Sequence, residues 1–347
     1  MSGVWKALAA AVLFGLSTPL AKGLLGSTSP QVLAGLFYLS SGIGLRLMGL
    51  VPRLRPFLRA EAPLRREDQP WLAGAVVFGG ILGPLLLLVG LQRTTGSAAS
   101  LLLNLEGVFT ALLAWFVFKE NVDRRIALGM ALIVAGGTVL SWQGGPEWGE
   151  LAGPLAVGAA CLCWAIDNNL TQKVSAGDPV QIAAIKGLVA GSVNVGIALA
   201  LGAAPPPPSL VAGAAAVGFA CFRVSLMLYV LGLRELGTAR TGAYFSFAPF
   251  VGAVASLLLW REPVTPSLVA AGALMAAGLW LHLTERHDHW HVHEPLEHVH
   301  RHVHDEHHRH EHAPDDPTGE PHTHLHRHEL LAHRHAHFPD IHHRHPH

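Results

Sequence analysis

Apolar residues run along this chain in long stretches rather than alternating. Read in windows of about 19 residues, the runs fall at 4–25, 30–51, 70–91, 96–118, 124–142, 151–174, 180–202, 210–232, 242–260 and 264–284. Runs of about 20 residues, at 1.5 Å rise per residue, match the roughly 30 Å hydrocarbon core of a bilayer. Polar or Gly/Pro-rich breaks separate them, among them GSTSP, QRTTG, KENVDRR, SAGDP, APPPPS and REPVTP. Strands of a membrane barrel would alternate over segments of about ten residues, and these runs do not. The pattern predicts an all-α integral membrane protein with ten transmembrane helices. From about residue 285 the apolar runs stop.

Composition agrees: 50% of the 347 residues are hydrophobic and only 14% charged, against about 25% charged in a soluble domain. Charge also predicts orientation. With a cytoplasmic N-terminus and ten spans, the inside segments before the tail carry twelve Lys and Arg, five of them in the 52–69 loop. The outside loops carry three, Lys22, Arg93 and Arg261. The positive-inside rule therefore places both termini in the cytoplasm, and the expected location is the bacterial cytoplasmic (inner) membrane. Cys161, Cys163 and Cys221 all fall inside apolar runs and read as small packing residues.

The chain repeats itself. GLQRTTGSAASLLLNLEGVFTALLAWFVFKENV, from Gly90, matches GLRELGTARTGAYFSFAPFVGAVASLLLWREPV, from Gly232, with an ungapped offset of 142 residues. Lys119-Glu120 then falls on Arg261-Glu262. Each half holds five spans, and an odd number inverts the second half relative to the first about an axis in the membrane plane. Three segments follow: a first five-helix repeat at 1–143, a second at 144–285, and a tail at 286–347. Inverted repeats let one architecture open to either side of the membrane, which points to transport.

These residues carry a family resemblance. The paired Lys119-Glu120 and Arg261-Glu262, the Gly/Ser/Thr/Ala-rich openings of spans four and nine, and Pro249 resemble the EamA domain pair of the drug/metabolite transporter superfamily. The resemblance covers about 4–284. It implies a secondary carrier that requires no cofactor, with cargo left open, and it implies gating or structural roles for Glu120, Glu262 and Pro249. One departure stands out: where the second half has Ala248-Pro249, the first has Glu106-Gly107.

Charges near the bilayer centre are costly and usually face a cavity or a partner. Depth along the runs proposes two pairs, Glu106 with Arg223 at mid-membrane and Asp167 with Lys186 nearer the cytoplasm. The densest polar cluster is Trp164, Asp167, Asn168, Asn169 and Thr171, in which adjacent Asx residues compete for backbone hydrogen bonds and are expected to unwind span six. Asn194 in span seven lies about 80° around the helix from Lys186 and faces the same space. Together Asp167, Asn168, Asn169, Trp164, Lys186, Glu106, Arg223 and Asn194 form the candidate substrate path. The competing reading is that they are interhelical locks, each worth about 1 kcal/mol or less.

All 24 histidines lie at or after His282. The segment after His282 alternates His-x-His among twelve Asp and Glu and six Arg, has too few large apolar residues to bury a core, and is expected to be disordered. In an extended chain residues i and i+2 share a face, so His298, His300, His302, His304, His307, His308, His310, His312, His322, His324, His326 and His328 are candidate ligands. Imidazole suits Zn, Ni, Co or Cu. The remaining expected partners are the lipid bilayer and a small-molecule or ion substrate, with no nucleic acid. An enzyme is disfavoured: there is no Gly-rich phosphate loop, no nucleophile–base constellation and no histidine in the membrane part before His282. The leading reading is a carrier that moves, or is regulated by, divalent metal ions. The alternatives are an exporter of a small organic metabolite or amino acid with a regulatory tail, and a membrane-anchored metal buffer or sensor.

Overall fold

A computed structural model describes residues 3–48, 64–118, 124–142, 148–174, 178–236, 238–284, 288–293, 296–302, 322–328 and 331–336. Up to Leu283 the described elements are all helical. Four are unbroken and amply apolar: α1 Gly3–Leu25, α7 Arg124–Ser141, α9 Pro179–Ala200 and α14 Pro266–Leu283. Helix α8 runs Trp148–Lys173, and α2 runs Pro30–Met48. The remaining four runs are interrupted. Span three comprises α3 Gln69–Ala75, a π-helical segment Val76–Leu82 and α4 Gly83–Gln92. Span eight comprises α10 Pro208–Val217, a π-helical segment Gly218–Val224 and α11 Ser225–Leu236. Span four is α5 Gly96–Leu102 and α6 Leu105–Phe118, and span nine is α12 Thr238–Phe245 and α13 Ala248–Trp260.

Nine of these runs are long and apolar enough to cross a membrane. The second is not among them; its apolar run in the sequence continues at 49–51, beyond the described residues of α2. The two π-helical segments lie 142 residues apart, the offset that aligns the sequence repeat. The interruptions of spans four and nine, at 103–104 and 246–247, agree with that offset to within one residue.

Equivalent helices of the two repeats meet at glycines. In lipid no hydrophobic drive separates helix from helix, so close backbone approach supplies the packing energy. Helix α2 lies along α9, and a Cβ at Gly187 would stand 2.9 Å from the Gly42 Cα. The equivalent pair α7 and α14 packs likewise: a Cβ at Gly129 would stand 2.8 Å from the Gly278 carbonyl oxygen. Helix α1 packs on α11 and α13, and α8 on α4 and α6.

The tail departs from the expected disorder. Its described backbone forms β1 Asp288–His293, β2 Leu296–His302, β3 His322–His328 and β4 Leu331–Ala336, with β1 antiparallel to β4 and β2 to β3. Both ladders keep one register, from Asp288 opposite Ala336 to His302 opposite His322. Strand pairing needs a period of two rather than a core, and His-x-His supplies that period.

Gly187→Val is expected to force α2 from α9 and to lower stability by about 1–3 kcal/mol. Gly196→Ala, on the same helix with nothing within 4 Å of its added Cβ, is expected to be tolerated. Thermal unfolding of the two variants in one detergent distinguishes them.

Candidate functional site

The first π-helical segment organises a polar cluster. A π turn displaces carbonyls from their helical partners, and in hydrocarbon each must find another donor. The Gly79 carbonyl accepts from the Tyr38 hydroxyl at 2.7 Å and from Trp164 Nε1 at 3.1 Å. The next carbonyl, of Gly80, accepts from Asn194 Nδ2 at 3.1 Å. Three helices, α2, α8 and α9, are thereby tied to one bulge. Gly79 is required there, since a Cβ would overlap the Asp167 carboxylate.

Asp167 and Lys186 form the expected pair. Lys186 Nζ donates to the two carboxylate oxygens at 2.5 and 2.7 Å and to Thr171 Oγ1 at 3.2 Å, while Thr171 Oγ1 donates to Asp167 at 2.9 Å. Both side chains are largely enclosed, at 18% exposure for Lys186 and 11% for Asp167. Here Coulomb attraction is little screened, and a hydroxyl absorbs part of the remaining hydrogen-bonding capacity.

Glu106 and Arg223 are not partners, contrary to the depth match. Glu106 accepts from Asn168 Nδ2 at 2.9 Å. Arg223, buried in the second π-helical segment, donates from Nε to the Ser41 carbonyl and from Nη2 to Ser41 Oγ, both at 3.2 Å. Depth fixes one coordinate only; azimuth and neighbouring helices send these two charges to α8 and α2. Glu106 stands in the first turn of α6, just past the interruption, where the positive end of a half-helix favours a carboxylate. It is half-buried, and Asn168 is exposed.

Span six does not unwind. Helix α8 continues through Asp167-Asn168-Asn169: Asp167 binds Lys186 and Asn168 binds Glu106, while Asn169 Nδ2 donates to the Ala165 carbonyl four residues back at 2.8 Å without opening the helix. The loosened backbone lies instead in spans three, four, eight and nine. Pro249 opens α13 and lines a small cavity with Phe14, Gly15, Thr18, Ser100, Leu103 and Ala248. Ser100 Oγ is buried without a hydrogen-bond partner among the described residues.

Glu262, the candidate gate residue of the second repeat, binds a helix terminus. Its carboxylate accepts from the backbone N–H groups of Gly96 at 2.7 Å and Ser97 at 2.9 Å. Glu120 lies outside the described residues. So do His304, His307, His308, His310 and His312, whereas His298, His300 and His302 fall on β2 and His322, His324, His326 and His328 on β3. Among the described residues no three His, Cys, Asp or Glu side chains converge as metal ligands. Sequence reasoning missed Tyr38, Ser41 and Lys22, the last donating to the Leu91 carbonyl at 3.4 Å and to that of Thr94. The Gly79-Gly80 pair was the one available signal for the bulge.

The cluster thus joins α2, span three and α6 of the first repeat to α8 and α9 of the second. Similarity to known proteins runs the same way. An uncharacterized transporter of Methanothermobacter thermautotrophicus is 30% identical over 295 residues, covering 80% of this chain and 85% of its own. A probable amino-acid metabolite efflux pump of Salmonella typhimurium is 27% identical over 53% of this chain and 66% of its own. A probable 4-amino-4-deoxy-L-arabinose-phosphoundecaprenol flippase subunit of Pseudomonas fluorescens is 44% identical over 76 residues, 22% of this chain and 64% of its own. One solved crystal structure shares the fold with a TM-score of 0.57 at 16% identity, covering 81% of this chain and 96% of that one. The EamA-like transporter family profile matches residues 1–142 and again 151–284, once per repeat; the chain belongs to the EamA-like transporter family.

Proposed function

We propose that this transporter is a secondary carrier of small organic solutes bearing an amino group, and that its histidine tail binds divalent metal and regulates it. The observation that carries the cargo reading is the Glu106–Asn168 contact. Its carboxylate comes from the first repeat and its amide from the second, and the pair stands at a helix interruption. Glu106 is held by a neutral amide and is partly open to its surroundings, so its charge complements an ammonium group. Two relatives support this reading, one named as an amino-acid metabolite efflux pump and one as a flippase subunit for an amino-sugar lipid.

The remaining polar groups then divide by role. Asp167, Lys186 and Thr171 lock α8 to α9, while Trp164, Tyr38 and Asn194 hold the π bulge that faces them. Arg223 fastens span eight to α2. All ten runs cross the membrane in this reading, α2 included, because α2 lies packed along α9 and shares its glycine seam. Lys and Arg in the loops favour cytoplasmic termini and therefore a cytoplasmic tail. An ion gradient supplies the energy, with Glu106 or Asp167 as a proton carrier.

The metal reading rests on the tail's histidines, with Zn, Ni, Co or Cu bound by imidazoles of His298 to His328. Metal as cargo would require the hard oxygens of Glu106, Asp167, Asn168 and Asn169; both Asp167 oxygens are taken by Lys186 and one Glu106 oxygen by Asn168 Nδ2.

Glu106→Gln is expected to reduce uptake of amino-bearing solutes into vesicles by tenfold or more, with Asn168→Ala reducing it less. Equal rates in Glu106→Gln and the native chain would defeat the cargo reading. Asp167→Asn alone leaves an unpaired buried cation and is expected to cost about 3–5 kcal/mol. The double variant Asp167→Asn/Lys186→Met should recover most of that loss in thermal unfolding. Removal of residues 286–347 is expected to abolish Ni²⁺ and Zn²⁺ binding by calorimetry while solute flux persists without metal sensitivity.

A further inference from the structure

A histidine at every second position puts imidazole-bearing residues on one face of an extended strand, which by itself suggests chelation along a single strand. The ladders of the tail supply a nearer partner. Of the twelve histidines on β1 to β4, ten stand directly opposite another histidine. On β2 and β3 the opposed pairs are His298 and His326, His300 and His324, and His302 and His322. On β1 and β4 they are His289 and His335, and His291 and His333. The two exceptions, His293 opposite Leu331 and His328 opposite Leu296, fall where one ladder ends and the next begins along the sequence.

The positions between the histidines select this register. Side chains alternate with a period of two, so a slip of one residue would set the histidines of β2 against Thr323, Leu325 and Arg327 instead. A slip of two keeps histidines opposed, but it sets Val299 opposite Arg327 in one direction or Glu297 opposite Leu325 in the other. In the observed register Val299 lies opposite Leu325 and Glu297 opposite Arg327. An apolar pair and a pair of opposite charge are each favourable across a ladder. Spacing also decides between the two modes of chelation. Next-but-one residues along a strand lie about 6.8 Å apart, whereas residues opposite one another have Cβ atoms about 4.5–5.5 Å apart. A tetrahedral zinc ion, with nitrogens at about 2.0–2.1 Å, needs those nitrogens only about 3.3 Å from each other. The opposed pair is the closer match, and two successive pairs present the four imidazoles that a closed tetrahedral site takes.

We propose that the tail binds divalent metal across its ladders, each ion held by histidines of two paired strands. His298, His300, His324 and His326 form one set, which His302 and His322 extend. His289, His291, His333 and His335 form a second. The ligand is a borderline divalent cation, of the class that neutral imidazole suits. Such a site exists only while the strands are paired, so metal binding and closure of the tail are one equilibrium, and the ion stabilises the paired form by mass action. The tail then answers metal with a change of shape instead of acting as a string of independent chelators. The inference rests on the metal reading of the tail, but not on which solute is carried.

The test counts ions bound to the full chain in detergent, by calorimetry with Zn²⁺ and, separately, with Ni²⁺. His298→Ala/His300→Ala/His302→Ala strips β2 alone. It is expected to lose as many ions as the sixfold variant that also carries His322→Ala/His324→Ala/His326→Ala, because either strand is useless without the other. Val299→Pro/Leu325→Pro keeps every histidine but breaks the ladder, and is expected to bind the ions of β2 and β3 at least about tenfold more weakly. None of these positions lies in a membrane helix, so the bundle itself is left intact. A parent chain that binds no ion would overturn the metal reading and this site with it. Ion losses that add between the two strands, or parent-like affinity in the proline variant, would leave the metal reading standing and overturn the cross-strand site.

Discussion

Within hydrocarbon every backbone N–H and C=O must be hydrogen-bonded, since an unsatisfied group costs several kcal/mol. That constraint decides where this protein places its polar side chains. Four of its apolar runs are interrupted, and each interruption displaces backbone groups that an unbroken helix would satisfy. At the first π segment Tyr38, Trp164 and Asn194 absorb the carbonyls of Gly79 and Gly80. At the interruption of span four Asn104 Nδ2 returns to the Leu101 carbonyl at 2.8 Å. At the start of α5 Glu262 takes two amides. Much of the intramembrane polarity therefore belongs to the backbone, and Glu106 and Asn168 stand apart in bonding to each other instead.

The same constraint explains how the repeats hold together. Donors and acceptors repeatedly come from opposite halves: Asn194 reaches Gly80, Trp164 reaches Gly79, Asn168 reaches Glu106, and Glu262 reaches Gly96. Glycine seams between α2 and α9, and between α7 and α14, supply packing without a hydrophobic drive. Cross-repeat hydrogen bonds add direction. Hydrogen bonds between membrane helices contribute only modestly each, which suits contacts that must exchange when a carrier changes state.

Much of the fold is legible in the sequence because its signals are one-dimensional. Apolar run length gives the helices, and the 142-residue offset gives the repeat. Depth along the runs also brings Asp167 to Lys186. It fails for Glu106 and Arg223 because pairing requires azimuth, which hydropathy does not carry. The adjacent Asp167, Asn168 and Asn169 look like an unwound turn because local competition for backbone hydrogen bonds is visible in sequence. Tertiary partners that remove that competition, Lys186 and Glu106, are distant in the chain. The π segments leave only Gly79-Gly80 as a trace, and Gly218 with Arg223 gives none. The tail's lack of apolar mass points to a structureless chain, although His-x-His already has the period of a strand.

The interruptions of spans four and nine show how a repeat acquires chemistry. Pro249 opens α13, where its lack of an N–H fits a break in span nine. Span four breaks at the equivalent place with Gly107 where the proline would be. Proline is therefore not what sets the break; the packing of both spans against their neighbours sustains it. Once the architecture enforces the interruption, the position is freed from its structural duty in one half. The first half fills it with Glu106, whose carboxylate sits at the positive end of a half-helix and reaches Asn168 across the repeat boundary. The departure from internal symmetry is thus where an acid takes the place that the other half gives to Ala248 beside Pro249, and it sets that charge at the seam between the two repeats.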